Sequence, residues 1–109
     1  MDDSLTPGLY IVATPIGNLG DMTIRALATL TAADTVLCED TRTTARLMDR
    51  YGIRVPLQAY HEHNADEVGP KLIAQLAAGK SVALVSDAGT PLISDPGYRL
   101  MQACIHRNL

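Results

Sequence analysis

The sequence has 109 residues, of which 47% are hydrophobic and 19% charged, a composition that supplies one modest core and excludes a disordered chain. Its net charge of −3 and pI of about 5.4 lack the basic footprint of a stand-alone nucleic-acid binder, so a basic surface would have to come from elsewhere in a larger protein. With four Tyr and no Trp or Phe, the core must be built from Leu, Ile, Val and Ala.

Residues 1–8 read as an N-terminal tail and 9–109 as one domain in which strand-like runs alternate with helix-period segments. That alternation is the signature of a parallel α/β sheet. The first strand is Leu9–Ala13. A helix from Met22 to Leu30 follows, with Ile24, Leu27 and Leu30 on one face and Asp21 as its cap. Thr35–Cys38 is the second strand, and Thr43–Tyr51 a helix that stops at Gly52. A weaker third strand spans Leu57–Tyr60. Asn64 then caps a helix whose Val68, Leu72, Ile73 and Leu76 form an apolar stripe ending before Gly79. Ser81–Val85 is the fourth and strongest strand. Asp95-Pro96 supplies an N-cap followed by Pro at the first helical position, opening a helix through Leu100, Met101, Cys104 and Ile105. No strand follows that helix. The pattern therefore predicts a domain cut before its last strand, with a sheet edge or groove for another polypeptide to cover. A dimer through that surface and a monomer both fit the sequence.

The longest apolar runs are far below a membrane span, and no Lys/Arg-led apolar segment opens the chain. Cys38 and Cys104 share no metal-ligand or redox spacing and read as reduced, partly buried thiols. These features predict a cytoplasmic protein with no membrane partner.

The chemistry concentrates after the strands. Thr14-Pro15-Ile16-Gly17-Asn18 follows the first, Glu39-Asp40-Thr41-Arg42 the second, His61-Glu62-His63-Asn64 the third, and Ser86-Asp87-Ala88-Gly89-Thr90-Pro91 the fourth. In a parallel sheet all four segments emerge at the carboxyl edge, where such folds bind ligands. The connections at the other edge look like plain turns. Taken singly, each segment has a bland explanation. Pro and Gly after a strand are ordinary turn punctuation. Two His around a Glu supply only two close ligands, so no metal site is expected. Arg42, Arg46 and Arg50 recur every four residues, a stripe that is more often a solvated helix face than an RNA track. Neither a G-x-G-x-x-G nor a P-loop motif is present. The most specific stretch is Ser86–Gly97, S-D-A-G-T-P-L-I-S-D-P-G, and loops of that length in compact domains usually serve function.

Four motifs, L-Y-I-V-A-T-P-I-G-N-L-G-D-M-T-I-R-A-L, E-D-T-R-T-T-A-R-L, Y-H-E-H-N and V-A-L-V-S-D-A-G-T-P-L-I-S-D-P-G-Y-R-L, resemble the bacterial small-subunit rRNA (cytidine-2′-O-)-methyltransferase family of the tetrapyrrole methylase superfamily. The resemblance runs from Leu9 to Cys104. It implies a three-layer α/β/α N-terminal domain of a class III methyltransferase, followed by a second domain, with S-adenosylmethionine in the cleft between them. By position it implies cofactor contacts from Pro15, Ile16, Gly17 and Asn18 in the first loop, and from Asp87, Ala88, Gly89, Thr90 and Ile93 in the fourth. T-P-I-G-N replaces the glycine-richer turn of the small-molecule members. Glu39 falls where some tetrapyrrole methylases place an acid/base carboxylate, and Asp40 and Arg42 resemble the rRNA branch. The implied substrate is small-subunit rRNA or the 30S subunit, with Arg42 and Arg46 as RNA-binding candidates.

Methyl transfer to a ribose hydroxyl is an in-line displacement that needs alignment and loss of the hydroxyl proton. The candidate bases are Glu39, Asp40, Asp87, His61 and His63. A His matches neutral pH, whereas a carboxylate needs a raised pKa or acts by positioning. The competing readings are a precorrin or uroporphyrinogen C-methyltransferase and a non-catalytic half-site domain. The 109 residues alone are expected to hold one wall of a cleft and to be inactive.

Overall fold

The computed structural model describes residues 5–13, 22–86 and 95–107, with the Asp95 side chain left aside. Four strands, β1 (Gly8–Ala13), β2 (Thr35–Cys38), β3 (Leu57–Ala59) and β4 (Ser81–Ser86), alternate with α1 (Ile24–Ala32), α2 (Thr41–Arg50), α3 (Ala65–Ala77) and α4 (Asp95–His106). The sheet is wholly parallel, in the order β1-β4-β2-β3. The predicted parallel α/β class is what the chain adopts.

The order dictates the layers. From β1 to β2 and on to β3 the chain moves one way across the sheet; from β3 to β4 it moves back. Crossovers of one hand must then place helices on opposite faces. The core divides accordingly. Leu30 of α1 and Leu47 and Met48 of α2 share a cluster with Val12, Val36, Cys38, Ala83 and Val85. Leu72 and Leu76 of α3 and Leu100 and Cys104 of α4 share the other with Leu37, Val82 and Leu84. Successive strand residues go to opposite faces, as the two-residue period requires. β4, covered on both faces and flanked by β1 and β2, is buried from Ser81 to Val85, which explains its continuous apolar run.

Local chemistry sets the element ends. Thr23 caps α1, its Oγ1 accepting the Ala26 N–H at 3.0 Å; the expected cap, Asp21, lies outside the described residues. Ile24 is not part of the buried face: as the first helical residue it is 87% exposed, while Leu30 is fully enclosed. The last turn of α2 closes as a Schellman motif. Gly52, at φ +66°, donates to Asp49 O, and Ile53 donates to Met48 O. Gly79 and Lys80 close α3 the same way, donating to Leu76 O and Gln75 O. α3 also contains Pro70, which lacks the N–H that would reach Asp66 O. This helix therefore depends on its buried stripe more than on intrinsic propensity.

At the amino edge, Asp34 clamps the start of β4. Its Oδ2 accepts the Ser81 N–H at 2.8 Å and the Ser81 hydroxyl at 3.2 Å. The Ser81 N–H bond is the main reason its carboxyl titrates below the ordinary range. Ahead of the sheet, Leu5 packs against the first core cluster and the Tyr10 hydroxyl donates to Thr6 O at 2.7 Å. Residues 5–8 are thus tied to the domain. No helix among the described residues is long and apolar enough to cross a membrane.

Candidate active site

Because every strand is parallel, the carboxyl ends share one edge. β1 and β4 stay in register to their last residues, Ala13 opposite Ser86, and the Ser86 hydroxyl donates to Val12 O at 3.5 Å. Residues 14–21 and 87–94 continue from these two neighbouring ends. They lead to helices on opposite faces: α1 packs with the first core cluster and α4 with the second. Adjacent strands whose connections diverge in this way leave a crevice, the usual ligand site of open α/β sheets. The predicted cofactor residues Pro15, Ile16, Gly17, Asn18, Asp87, Ala88, Gly89, Thr90 and Ile93 lie outside the described residues. The adjacency of the strand ends that carry them does not.

The other half of the edge is formed by β2 and β3, whose last residues Cys38 and Ala59 are also partners. Glu39 and Asp40 follow Cys38 and are exposed. Asp40 has a structural task, as the N-cap of α2: its Oδ1 accepts the Arg42 N–H at 2.9 Å. The Arg42 guanidinium returns as a fork, Nε to Oδ1 at 3.3 Å and Nη2 to Oδ2 at 3.4 Å. These bonds, the Arg42 side chain first and its N–H second, hold the Asp40 carboxyl below the usual range. That direction is the reverse of what a general base at neutral pH needs. Arg42 remains largely open to solvent despite the pair, and Arg46, one turn on, is exposed as well.

The segment after β3 is wired internally. Asn64 sits at the N-cap position of α3, but its side chain makes no cap bond to the helix. Instead its Oδ1 accepts the His61 N–H at 2.8 Å and its Nδ2 donates to Ala59 O at 2.8 Å. The His63 N–H in turn donates to His61 Nδ1 at 3.1 Å, and the two imidazoles meet edge-on with centroids 5.8 Å apart. The expected cap is thus a clamp on the turn. Among the described residues, no group of three or more His, Cys, Asp or Glu could hold a metal ion.

In the sequence Tyr60 is only the end of a strand run. The structure gives it a second role: its ring is 4% exposed and its hydroxyl donates to Pro96 O at 3.1 Å. This bond ties the end of β3 to the first turn of α4, and an Arg99–Asp66 pair at 3.8 Å spans α4 and α3 beside it. Burial raises the phenol's pKa. The two partners are 36 residues apart, and no local pattern joins them. A groove of about 320 Å³ also runs along β1 and α1, between Tyr10–Ala13 and Thr23, Arg25, Ala26 and Thr29.

The profile of one family, described as Tetrapyrrole (Corrin/Porphyrin) Methylases, matches residues 8–109. The chain is 67% identical over 105 residues to a Mesorhizobium japonicum protein named Ribosomal RNA small subunit methyltransferase I, covering 96% of this chain and 36% of that protein. Proteins of the same name from Halalkalibacterium halodurans and Bacillus subtilis are 52% and 54% identical, over 93% and 86% of this chain and 35% and 32% of theirs. The chain spans about a third of the length of these relatives.

Proposed function

The chain belongs to the family of tetrapyrrole (corrin/porphyrin) methylases, and from that premise we propose that it forms the first-domain wall of an S-adenosylmethionine cleft in an enzyme that methylates a cytidine ribose 2′-hydroxyl of 16S small-subunit rRNA. The observation that carries this reading is the sheet order. β1 and β4 end level and side by side, which supports a single crevice for the two motifs that resemble the family's cofactor loops. The relatives' shared name favours RNA over a tetrapyrrole as the substrate.

The edge divides into two halves. Residues 15–18, 87–90 and Ile93 are assigned to the cofactor, since small residues let backbone N–H and C=O groups approach it closely. When bound, the cofactor supplies a methyl group carried on a sulfonium. The β2–β3 half is assigned to the RNA. Arg42 and Arg46 offer guanidinium groups to phosphates, and Asp40 keeps the Arg42 end of α2 in place through the cap and the fork. The proton leaving O2′ goes to Glu39, directly after β2, rather than to Asp40, whose carboxyl is stabilised in its charged form.

Labelled methyl incorporation into small ribosomal subunits, against a porphyrinogen substrate, tests the reading in a protein carrying this chain at its relatives' full length. Label in RNA and none in the porphyrinogen is expected, and label in the porphyrinogen alone refutes it. The 109-residue chain offers half of an interdomain cleft, too little burial for tight binding. Calorimetry should find its cofactor affinity at least about tenfold below that of the full-length protein.

A further inference from the structure

We propose that His61 serves the RNA as a hydrogen-bond donor through Nε2–H, aimed at a backbone oxygen of the RNA, and that Asn64 is the residue that positions it. The inference rests on the reading that the β2–β3 half of the edge faces RNA. One imidazole nitrogen of His61 is already committed. Nδ1 accepts the His63 N–H at 3.1 Å, so its lone pair is occupied. The neutral ring must then carry its proton on Nε2. In that tautomer the outward nitrogen donates and has no lone pair with which to take a proton.

The surrounding bonds fix the turn that carries this donor. Asn64 holds the His61 N–H and Ala59 O at the same time, each at 2.8 Å. The turn is thereby anchored to the last residue of β3, which is itself registered against Cys38 of β2. His61 is half-buried, and among the described residues its Nε2 meets no partner, while the arginines of α2 start from the neighbouring strand end. An Nε2–H held in this way suits the anionic oxygens of a nucleic-acid backbone.

Two substitutions separate donor from base. His61→Asn retains an acceptor near the Nδ1 position, so the His63 N–H keeps its partner, but it removes the outer donor. His61→Gln extends an amide donor to roughly the place of Nε2, yet an amide cannot act as a base. In the full-length protein, RNA affinity is measured by filter binding and transfer by single turnovers from pH 5.5 to 8.5, with thermal melts checking the fold. His61→Asn is expected to weaken RNA binding about tenfold, and His61→Gln to stay within about threefold of wild type in both binding and transfer. ¹⁵N spectra of wild-type protein should report the Nε2–H tautomer, and Asn64→Ala should weaken RNA binding severalfold. If both His61 variants bind RNA normally but lose transfer, His61 is the base and the proposal falls. It falls equally if His61→Asn binds and methylates like wild type. Wild-type protein that binds no small-subunit rRNA overturns the underlying reading instead, and the donor role with it.

Discussion

Two aliphatic residues of α1, six positions apart, should respond in opposite ways to the same truncation. Leu30 is fully enclosed in the first core cluster, among residues that include Val12, Val36, Met48 and Ile53, whereas Ile24 is 87% exposed. Leu30→Ala removes three carbons from the interior. Lost transfer energy is about 0.8 kcal/mol for each, and the cavity adds more because a sheet and two helices limit collapse. The total should be about 3–4 kcal/mol, inside the ~2.7–5 kcal/mol range of buried Leu→Ala changes. Against the ~5–15 kcal/mol stability of a domain this size, that is a large fraction. Ile24→Ala gives up almost no burial and gains a little helix propensity, so it should stay within about 0.5 kcal/mol of wild type. Urea denaturation of the 109-residue chain, followed by circular dichroism, reads both. At an m-value of about 1.5 kcal/mol/M, the Leu30 variant should lose roughly 2 M in midpoint and the Ile24 variant almost nothing. Equal losses, or a larger one at Ile24, would mean that α1 docks through a different face.

Three further outcomes follow from the polar contacts. Asp34 and Asp40 both titrate below the ordinary carboxyl value, so each contributes stability that is present above the unfolded pKa and lost as pH falls through the lower folded one. The urea midpoint should hold from pH 7 to about 5 and fall below about pH 4; an Asp34→Asn chain that reproduces the full acid loss would remove the Ser81 clamp from the explanation. In a His61→Ala chain the His63 N–H loses its partner at Nδ1, so the His63 amide resonance should move upfield. An unmoved resonance would count against that hydrogen bond. In the full-length protein, replacing both Arg42 and Arg46 with Ala should reduce the slope of log K against log salt for RNA by about 1.4–1.8, with stability little changed because both side chains are exposed. An unchanged slope would move the RNA track off α2.

The β2–β3 half of the carboxyl edge was legible in place but not in role. Residues 39–42 and 61–64 stood out because polar, titratable residues directly follow apolar strand runs. Their roles within those segments did not. By type and position Asp40 is a candidate base, yet the fork from Arg42 and the α2 cap make it a charged anchor. Asn64 stands where a cap belongs, yet its amide finds Ala59 O and the His61 N–H closer to hand. Such choices depend on which donor lies within about 3 Å, and spacing along the chain does not encode that.

Local and periodic features are what the sequence by itself determined. The strand-helix alternation, the Gly52 and Gly79 helix ends and the continuous apolar run of β4 are all features of neighbours a few residues apart, where backbone geometry leaves few options. The predicted crowding of chemistry at one edge followed too, since parallel strands must all end on the same side. Tertiary structure alone decided the strand order, and with it that β1 lies beside β4 rather than β2. It also decided that Ile24 faces water and that Tyr60 braces Pro96. These outcomes depend on contacts between residues far apart in the chain, where the energies come from shape and burial after the layers have met.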